Sequence, residues 1–159
     1  MHLTPVKWEN DELWIIDQTL LPEEYRMIRL DTVSSVAEAI KSLRVRGAPA
    51  IGVCAAYGVV VAFSEHSFSS LESARKTVLD AIQVLSETRP TAYNLFWALD
   101  RMRNVATKPY SDLVEFRSAL LIEARAIFEE DVRRCRSIGE NGADLVPDGG
   151  TILTHCNAG

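Results

Sequence analysis

The pattern of apolar and polar positions divides the chain into a short β region followed by a series of helices. Residues 6–9 and 12–16 are rich in β-branched and aromatic side chains, and they flank the turn-forming pair Asn10-Asp11. This arrangement predicts a β-hairpin. Residues 25–30 are expected to add a third strand after the break at Pro22. The β region therefore covers residues 6–31.

A continuous uncharged segment, residues 48–63, is the most unusual part of the pattern. A helix that is apolar all the way round is buried inside a protein, and this one is too short and too rich in Gly and Pro for a good membrane span. Pro49 suits the first turn of such a helix, because its missing N–H would have no partner there. We expect a central helix with the others packed around it.

Four further segments have apolar residues at helical spacing: 33–43, 71–85, 90–105 and 113–138. Asp31 or Thr32 is available to cap the first, and Ser111 the last. Pro90 is expected to open the third, and Gly139 or Gly142 to end the fourth. The charged runs at 129–131 and 133–136 are interpreted as a solvated face or i,i+4 pairs rather than a metal site.

Residues 147–159 do not continue the helical spacing of apolar residues. Residues 147–150 form a predicted turn, 151–156 an apolar strand and 157–159 a tight loop of small residues, which is how a parallel α/β layer begins. The predicted fold is mainly α. Its first domain, residues 1–146, holds the β region and a helical bundle over 32–146, and residues 147–159 begin a truncated Rossmann-like domain.

Composition narrows the functional classes. The net charge of −5 disfavours general binding to nucleic acids or acidic membranes. The three cysteines form no CxxC pattern and the N-terminus is polar without a signal peptide, so we expect reduced thiols in a cytoplasmic protein.

An anion site is indicated at two helix starts. Arg46 and Gly47 precede the central helix, and Arg89 precedes Pro90 in the same way. The free N–H groups of a helix start, with an arginine beside them, suit a phosphate. Taken alone, either arginine is better interpreted as a surface residue or a salt-bridge partner in helix packing, and only the two together make a phosphate site an equal alternative. Asn94 lies near the second start and is a candidate to face a ligand.

Cys156 lies at the carboxyl end of the predicted strand, where α/β folds keep their chemistry. A thiol there can transfer protons if its pKa is lowered. A dyad or zinc site with His155 is disfavoured, because adjacent strand residues point to opposite faces. The alternative is a buried inert cysteine, which is also the interpretation of Cys54 and Cys135.

Three motifs together resemble one family. Arg46-Gly-Ala-Pro-Ala-Ile-Gly52, Arg89-Pro-Thr-Ala92 with Asn94-Leu-Phe-Trp-Ala98, and Thr154-His-Cys-Asn-Ala-Gly159 are similar to the methylthioribose-1-phosphate isomerases. That family is related to the regulatory subunits of the eukaryotic translation initiation exchange factor and to ribose-1,5-bisphosphate isomerase. The resemblance covers essentially the whole chain.

The resemblance implies an aldose–ketose isomerase of methionine salvage, acting on a small-molecule sugar phosphate without metal or nucleotide cofactor. It implies substrate contacts from Arg46, Gly47, Ala48 and Arg89 and catalysis by Cys156. Asn94 and Asn157 are candidates for residues that surround the substrate contacts and the catalytic cysteine. The second catalytic residue, an aspartate, belongs to a C-terminal domain that this sequence does not contain. We therefore expect an inactive fragment of a homodimeric enzyme. The alternatives are a non-catalytic helical interaction module or a ribose-1,5-bisphosphate isomerase.

Overall fold

A computed structural model describes residues 4–155 as a three-stranded sheet followed by five helices. The strands are β1 (Val6–Glu9), β2 (Glu12–Ile16) and β3 (Met27–Leu30). The helices are α1 (Val33–Lys41), α2 (Ala48–Ser64), α3 (Leu71–Ser86), α4 (Tyr93–Ala106) and α5 (Leu113–Gly142), and a 3₁₀ turn, Ala143–Leu145, follows. The mainly helical class with a small sheet is confirmed.

The sheet is an antiparallel meander in the order β1-β2-β3. Asn10 and Asp11 both take positive φ, 51° and 67°, which is the backbone of the tight hairpin turn that the sequence predicted. Leu13 and Ile15 of β2 are fully buried on one face of the sheet. On the same side, Trp8 stacks on Tyr57 of α2 with ring centroids 5.2 Å apart. The sheet therefore covers one side of the central helix.

Helix α2 forms the centre of the core, as its uncharged sequence predicted. Every residue from Ile51 to Phe63 is buried. The small residues allow close packing, as at Gly52, where an added Cβ would lie 2.7 Å from the backbone oxygen of Asn94 in α4. The starts of α2 and α4 are therefore in direct backbone contact.

Helix α5 runs antiparallel to α2. Phe63 at the end of α2 meets Phe116 at the start of α5, with ring centroids 5.8 Å apart. At the opposite end, Val53 of α2 lines the same groove as Val132 of α5. The two helices thus pack side by side in opposite directions.

Helix α5 also runs antiparallel to α4. Trp97 near the start of α4 lies under the guanidinium of Arg134, 5.3 Å from its ring centroid. At the other end, Tyr110 packs on Phe116 and donates its hydroxyl to the carbonyl of Val105, 2.8 Å away. Since α2 and α4 both run antiparallel to α5, they are parallel to each other, and their N-termini lie at the same end of the bundle.

Two predictions about helix ends are corrected by the structure, and a third is confirmed in one of its two alternatives. Helix α4 begins at Tyr93 and not at Pro90, because Pro90 lies in a turn closed by the Ala92 N–H and the Arg89 carbonyl, 3.1 Å apart. Asp112, rather than Ser111, caps α5 by accepting from the Glu115 N–H at 2.8 Å. Gly139 lies within α5, which ends at Gly142.

The apolar stripes of α4 and α5 are also less completely buried than their spacing suggested. Phe96 is 37% exposed, and Val132 and Ile138 are 44% and 73% exposed. The periodicity of α5 is helical over its whole length, but its buried residues all lie in its first half, between Phe116 and Ile127.

The predicted strand at 151–156 is not formed over residues 151–155, which have no regular secondary structure. A strand is held by hydrogen bonds to a neighbouring strand, and no segment of residues 4–155 pairs with this one. Ile152 and Leu153 are accordingly exposed. The start of a Rossmann-like layer at 147–159 therefore stays a prediction.

Candidate functional site

The candidate site is built on the adjoining N-termini of α2 and α4. Gly47 is the residue before α2 and has φ 93°, a backbone conformation that side chains with a Cβ rarely adopt. Its carbonyl accepts from the Ile51 N–H at 3.0 Å and so begins the helix. The glycine in the Arg46-Gly47-Ala48 motif is thus required by the bend that leads the chain into α2.

These two helix starts differ from the other three in how they are capped. Thr32, Ser70 and Asp112 each accept a backbone N–H with their side chains at the starts of α1, α3 and α5. Gly47 and Ala92, which precede α2 and α4, provide no side-chain cap. Uncapped N–H groups and two parallel helix dipoles therefore meet at one end of the bundle, an arrangement that favours an anion.

Arg46 is tied to the loop that follows β2. Its Nη2 donates to the backbone carbonyl of Gln18 at 3.0 Å, and its own carbonyl accepts from Gln18 Nε2 at 3.4 Å. The residue as a whole is exposed, and Ala48 beside it is exposed as well. The arginine therefore combines a fixed attachment with access to solvent at the start of α2.

Arg89 and Asn94 flank the start of α4, and both are half-buried. Asn94 is the second residue of α4, and its backbone carbonyl packs against Gly52. The structure thus brings together the two helix starts to which Arg46 and Arg89 belong. Cys156 and Asn157 lie outside the described residues, so their place at this site stays a prediction.

Sequence reasoning missed a buried polar pair beside Arg46. Asp17 and Gln18 are only 3% and 4% exposed. Asp17 accepts from the backbone N–H and hydroxyl of Thr19, at 3.1 and 2.6 Å, and from Arg44 Nη1 at 2.6 Å. The Asp-x-Thr spacing is a signal for the local turn, but the contact with Arg44 joins residues that are distant in the sequence.

The hydrogen bonds to Asp17 determine its charge state. Burial raises the pKa of this carboxyl, but the bonds from Thr19 and Arg44 outweigh burial and hold the pKa below its usual value. Arg44 also binds Glu38, with its Nε 2.9 Å from Oε2. This charged network fastens the segment before α2 to both α1 and the β2 loop.

The two described cysteines differ in a way the sequence did not predict. Cys54 is fully buried in α2, and burial raises the pKa of its thiol to about 12, which agrees with an inert core residue. Cys135 is exposed, so its expected burial is wrong. It lines a groove of about 740 Å³ between α5 and the start of α2, together with Ala50 and Phe128.

The charged runs of α5 form ion pairs, as expected. Arg133 and Arg134 lie 3.7 and 3.6 Å from Glu129 and Glu130, each at i,i+4 spacing. Glu130 is also held by both terminal nitrogens of Arg101. Over residues 4–155 there is no cluster of three or more His, Cys, Asp or Glu that could hold a metal. Within the same residues, no helix has the length and apolarity needed to cross a bilayer.

Comparison with curated proteins gives relatives named as isomerases. The methylthioribose-1-phosphate isomerase of Geobacter metallireducens is 46% identical over 160 residues, which cover 100% of this chain and 46% of the relative. The 5-deoxyribose 1-phosphate isomerase of Bacillus cereus is 46% identical over 159 residues, which cover 99% of this chain and 46% of the relative. The chain thus spans less than half the length of these relatives.

Two solved structures share the fold. Subunit delta of the A. fulgidus translation initiation factor eIF-2B superposes with a TM-score of 0.85 at 40% identity, over 91% of this chain and 42% of that one. The 5-methylthioribose 1-phosphate isomerase of Pyrococcus horikoshii superposes with a TM-score of 0.83 at 36% identity, over 90% and 40% of the two chains.

The family assignment depends on the segment that begins just before the candidate site. Residues 44–159, which include Arg46, Arg89 and both helix starts, match the Initiation factor 2 subunit family. Because these residues make up well over half of the sequence, the chain belongs to the Initiation factor 2 subunit family.

Proposed function

We propose that the chain is the N-terminal portion of an aldose–ketose isomerase that converts 5-methylthioribose 1-phosphate into 5-methylthioribulose 1-phosphate. The observation that carries this proposal is the direct contact between Gly52 and Asn94, which pairs two parallel, uncapped helix starts. The names of the relatives with 46% identity support the substrate class.

The phosphate of the substrate is the group that this end of the bundle suits. Arg46 and Arg89 precede the two starts, and guanidinium groups bind phosphate oxygens through paired hydrogen bonds. Gly47 and Ala48 supply backbone at the start of α2 without a side chain that would fill the space. We assign the phosphate to these four residues, with Asn94 beside them.

The reaction needs more than phosphate binding. The anomeric carbon carries the phosphate, so the ring must open there before a hydrogen moves from C2 to C1 and C2 becomes a ketone. We assign proton handling to Cys156, with Asn157 beside it, and the partner acid or base to an aspartate in the C-terminal half. The hydrogen moves either as a proton through an enediol or as a hydride, and the proposal holds for both routes.

The remaining features of the proposal concern the whole enzyme. Residues 147–159 begin a Rossmann-like second domain, and without the rest of that domain residues 1–159 are inactive. The complete enzyme is a cytoplasmic homodimer of methionine salvage that requires neither metal nor nucleotide cofactor. The exposed apolar residues in the last part of the chain, such as Ile138, Ile152 and Leu153, support a second half that packs on them.

Three substrates that differ only at C5 separate the possible isomerases. The methylthio group of 5-methylthioribose 1-phosphate is apolar, 5-deoxyribose 1-phosphate has only hydrogen there, and ribose 1,5-bisphosphate carries a second dianion. A site that favours the first should bind the second less tightly, because less apolar surface is buried. It should reject the bisphosphate, whose second phosphate would be desolvated without a partner.

The test is a chimaera in which residues 1–159 replace the matched N-terminal part of the Geobacter metallireducens isomerase. We expect turnover of 5-methylthioribose 1-phosphate by the chimaera and none by residues 1–159 alone. A folded chimaera without turnover, while the parental isomerase is active in the same assay, would contradict the proposal.

Two matched pairs of variants in the chimaera test the assigned residues. Cys156→Ser should lower kcat by about 10²-fold or more, as expected for loss of an acid–base group, whereas Cys135→Ser at an exposed position should not. Arg89→Ala should raise KM or lower kcat/KM, whereas Arg103→Ala, exposed in the last turn of α4, should leave both unchanged.

A second candidate is a non-catalytic interaction module, and the superposition on eIF-2B subunit delta favours it. This candidate predicts a folded chimaera that is inactive with all three substrates. It also predicts that Cys156 and Arg89 tolerate substitution without functional loss. The two candidates are therefore separated by the same set of assays.

A further inference from the structure

Gln18 is a buried glutamine that makes three hydrogen bonds with the segment before α2. It lies in the loop after β2 and is 4% exposed. Its backbone N–H donates to the carbonyl of Arg44 at 2.9 Å, and its backbone carbonyl accepts from Arg46 Nη2 at 3.0 Å. Its side-chain Nε2 donates to the carbonyl of Arg46 at 3.4 Å. A single residue thus contacts both the main chain and the guanidinium of Arg46.

The hydrogen bond from Gln18 Nε2 to the main chain of Arg46 lies directly before the start of α2. The carbonyl of Arg46 belongs to the peptide bond that enters Gly47, where φ is 93° and α2 begins. Rotation of that peptide would move both the arginine side chain and the first N–H groups of the helix. A hydrogen bond from a buried donor opposes this rotation, because the bond must break before the peptide can turn.

Asp17, the residue before Gln18, binds the same segment nearer its beginning. Asp17 holds Arg44, which is two positions before Arg46. Two consecutive residues of the β2 loop therefore bind alternate residues of the segment before α2. Such an arrangement fixes the segment along its length before any ligand arrives, and an arginine ordered in advance loses less conformational entropy on binding.

We propose that Gln18 is a positioning residue for Arg46, and that its side-chain amide holds the arginine and the start of α2 in the orientation that binds the substrate's phosphate. The inference rests on the proposed function, since it assigns the phosphate to Arg46. Gln18 itself does not touch the substrate. It acts on substrate affinity through the arginine.

The first experiment uses Gln18→Met in the active chimaera, because methionine keeps the volume of the side chain and lacks the N–H donor. We expect KM to rise about tenfold with kcat within about twofold, the size expected for one lost hydrogen bond to a binding group. Gln83→Met is the matched control, since Gln83 is exposed on α3, and it should leave KM unchanged. An unchanged KM for Gln18→Met would overturn the proposal.

The second experiment is a double-mutant cycle with Arg46→Ala. If Gln18 acts through the arginine, Gln18→Met should add less than about twofold to the loss of kcat/KM once Arg46 is removed. Equal effects in the presence and absence of Arg46 would overturn the proposal. So would loss of the folded state, judged by circular dichroism, since Gln18 would then be required for the fold.

A third measurement does not depend on turnover. Hydrogen exchange in residues 1–159 should be faster at the Ile51 amide, which donates to the Gly47 carbonyl at 3.0 Å, in Gln18→Met than in the parent, and unchanged there in Gln83→Met. Unchanged exchange would overturn the proposal. If the proposed function is wrong, the result is different. The chimaera without substitutions is then inactive, but the exchange difference between Gln18→Met and the unsubstituted chain is still present.

Discussion

An added Cβ on Gly52 would lie 2.7 Å from the backbone carbonyl oxygen of Asn94 and 3.4 Å from the Cβ of Ala98. The first contact is closer than real Cβ atoms approach a backbone oxygen. The backbone of α4 cannot move aside as a flexible side chain could. The starts of α2 and α4 can therefore adjoin only if residue 52 is glycine.

The first prediction concerns substitution of this glycine. Gly52→Ala should lower the free energy of unfolding by about 1–3 kcal/mol, because the methyl group forces the two helix starts apart. Urea unfolding followed by circular dichroism measures the change. In the chimaera, the same substitution should raise KM for the sugar phosphate, since the two anion-binding ends would separate.

The matched control is Gly139→Ala in α5, where an added Cβ meets nothing within 4 Å. There alanine should raise the free energy of unfolding by about 0.5–1 kcal/mol, because it restricts the unfolded chain and favours the helix. If Gly52→Ala were as stable as Gly139→Ala, the close packing of α2 on α4 would be refuted.

The second prediction concerns the pH dependence of stability at Asp17. The pKa of its carboxyl is lowered in the folded state, so its contribution is complete above the unfolded pKa of about 3.9 and is lost as pH falls through the folded pKa. Asp17→Asn should lower the free energy of unfolding by about 1–3 kcal/mol at pH 7. The difference from the parent should be constant between about pH 5 and 7 and shrink below about pH 4.

Urea titrations at pH 7, 5 and 3 give this profile. Asp80→Asn, an exposed position on α3, is the control for removal of one carboxylate and should change stability by less than about 0.5 kcal/mol. A constant penalty for Asp17→Asn down to pH 3 would mean that the carboxylate charge is not what stabilises this loop.

The third prediction concerns Arg101, which links α4 to α5. Its Nε donates to Glu123 at 2.6 Å, and its Nη1 and Nη2 donate to the two carboxylate oxygens of Glu130 at 2.7 and 2.9 Å. All three side chains are more than two thirds buried. Arg101→Lys should therefore lower the free energy of unfolding by about 1–3 kcal/mol, because an ammonium cannot reproduce this planar set of bonds.

Arg103→Lys provides the control two residues away. Arg103 is exposed on the same helix, and its replacement should change stability by less than about 0.5 kcal/mol. Thermal unfolding of both variants beside the parent makes the comparison. Equal melting temperatures for the two lysine variants would show that the bidentate contact with Glu130 contributes no stability.

The helices could be predicted from the sequence because their signals are local. The uncharged segment gave the buried central helix, and Thr32 caps α1 in one of the two ways that were left open. The choice of Asp112 over Ser111 at α5 was not predictable, since adjacent polar residues are both good caps. The start of α4 was misplaced because Pro90 suits the second position of a β-turn as well as the first turn of a helix.

The candidate site was predictable only in part. Two arginines before two helix starts are visible in the sequence, but their adjacency depends on the parallel packing of α2 and α4. The attachment of Arg46 to Gln18 joins residues 28 positions apart, and no local pattern signals it. The exposure of Val132 could not be predicted either, because helical spacing does not show which elements a helix packs against.

The last prediction separates the two described cysteines by reactivity. Alkylation by iodoacetamide requires the thiolate, and at pH 8 a thiol with pKa about 12 is thiolate in only about one molecule in ten thousand. Burial in α2 blocks access to Cys54 as well. In a variant that keeps only Cys54, we expect no labelling of the native protein and complete labelling in urea. In the variant that keeps only Cys135, which is exposed, labelling should be complete without denaturant. Mass spectrometry over a time course measures both, and rapid native labelling of Cys54 would show that α2 is accessible to solvent and is not the centre of the core.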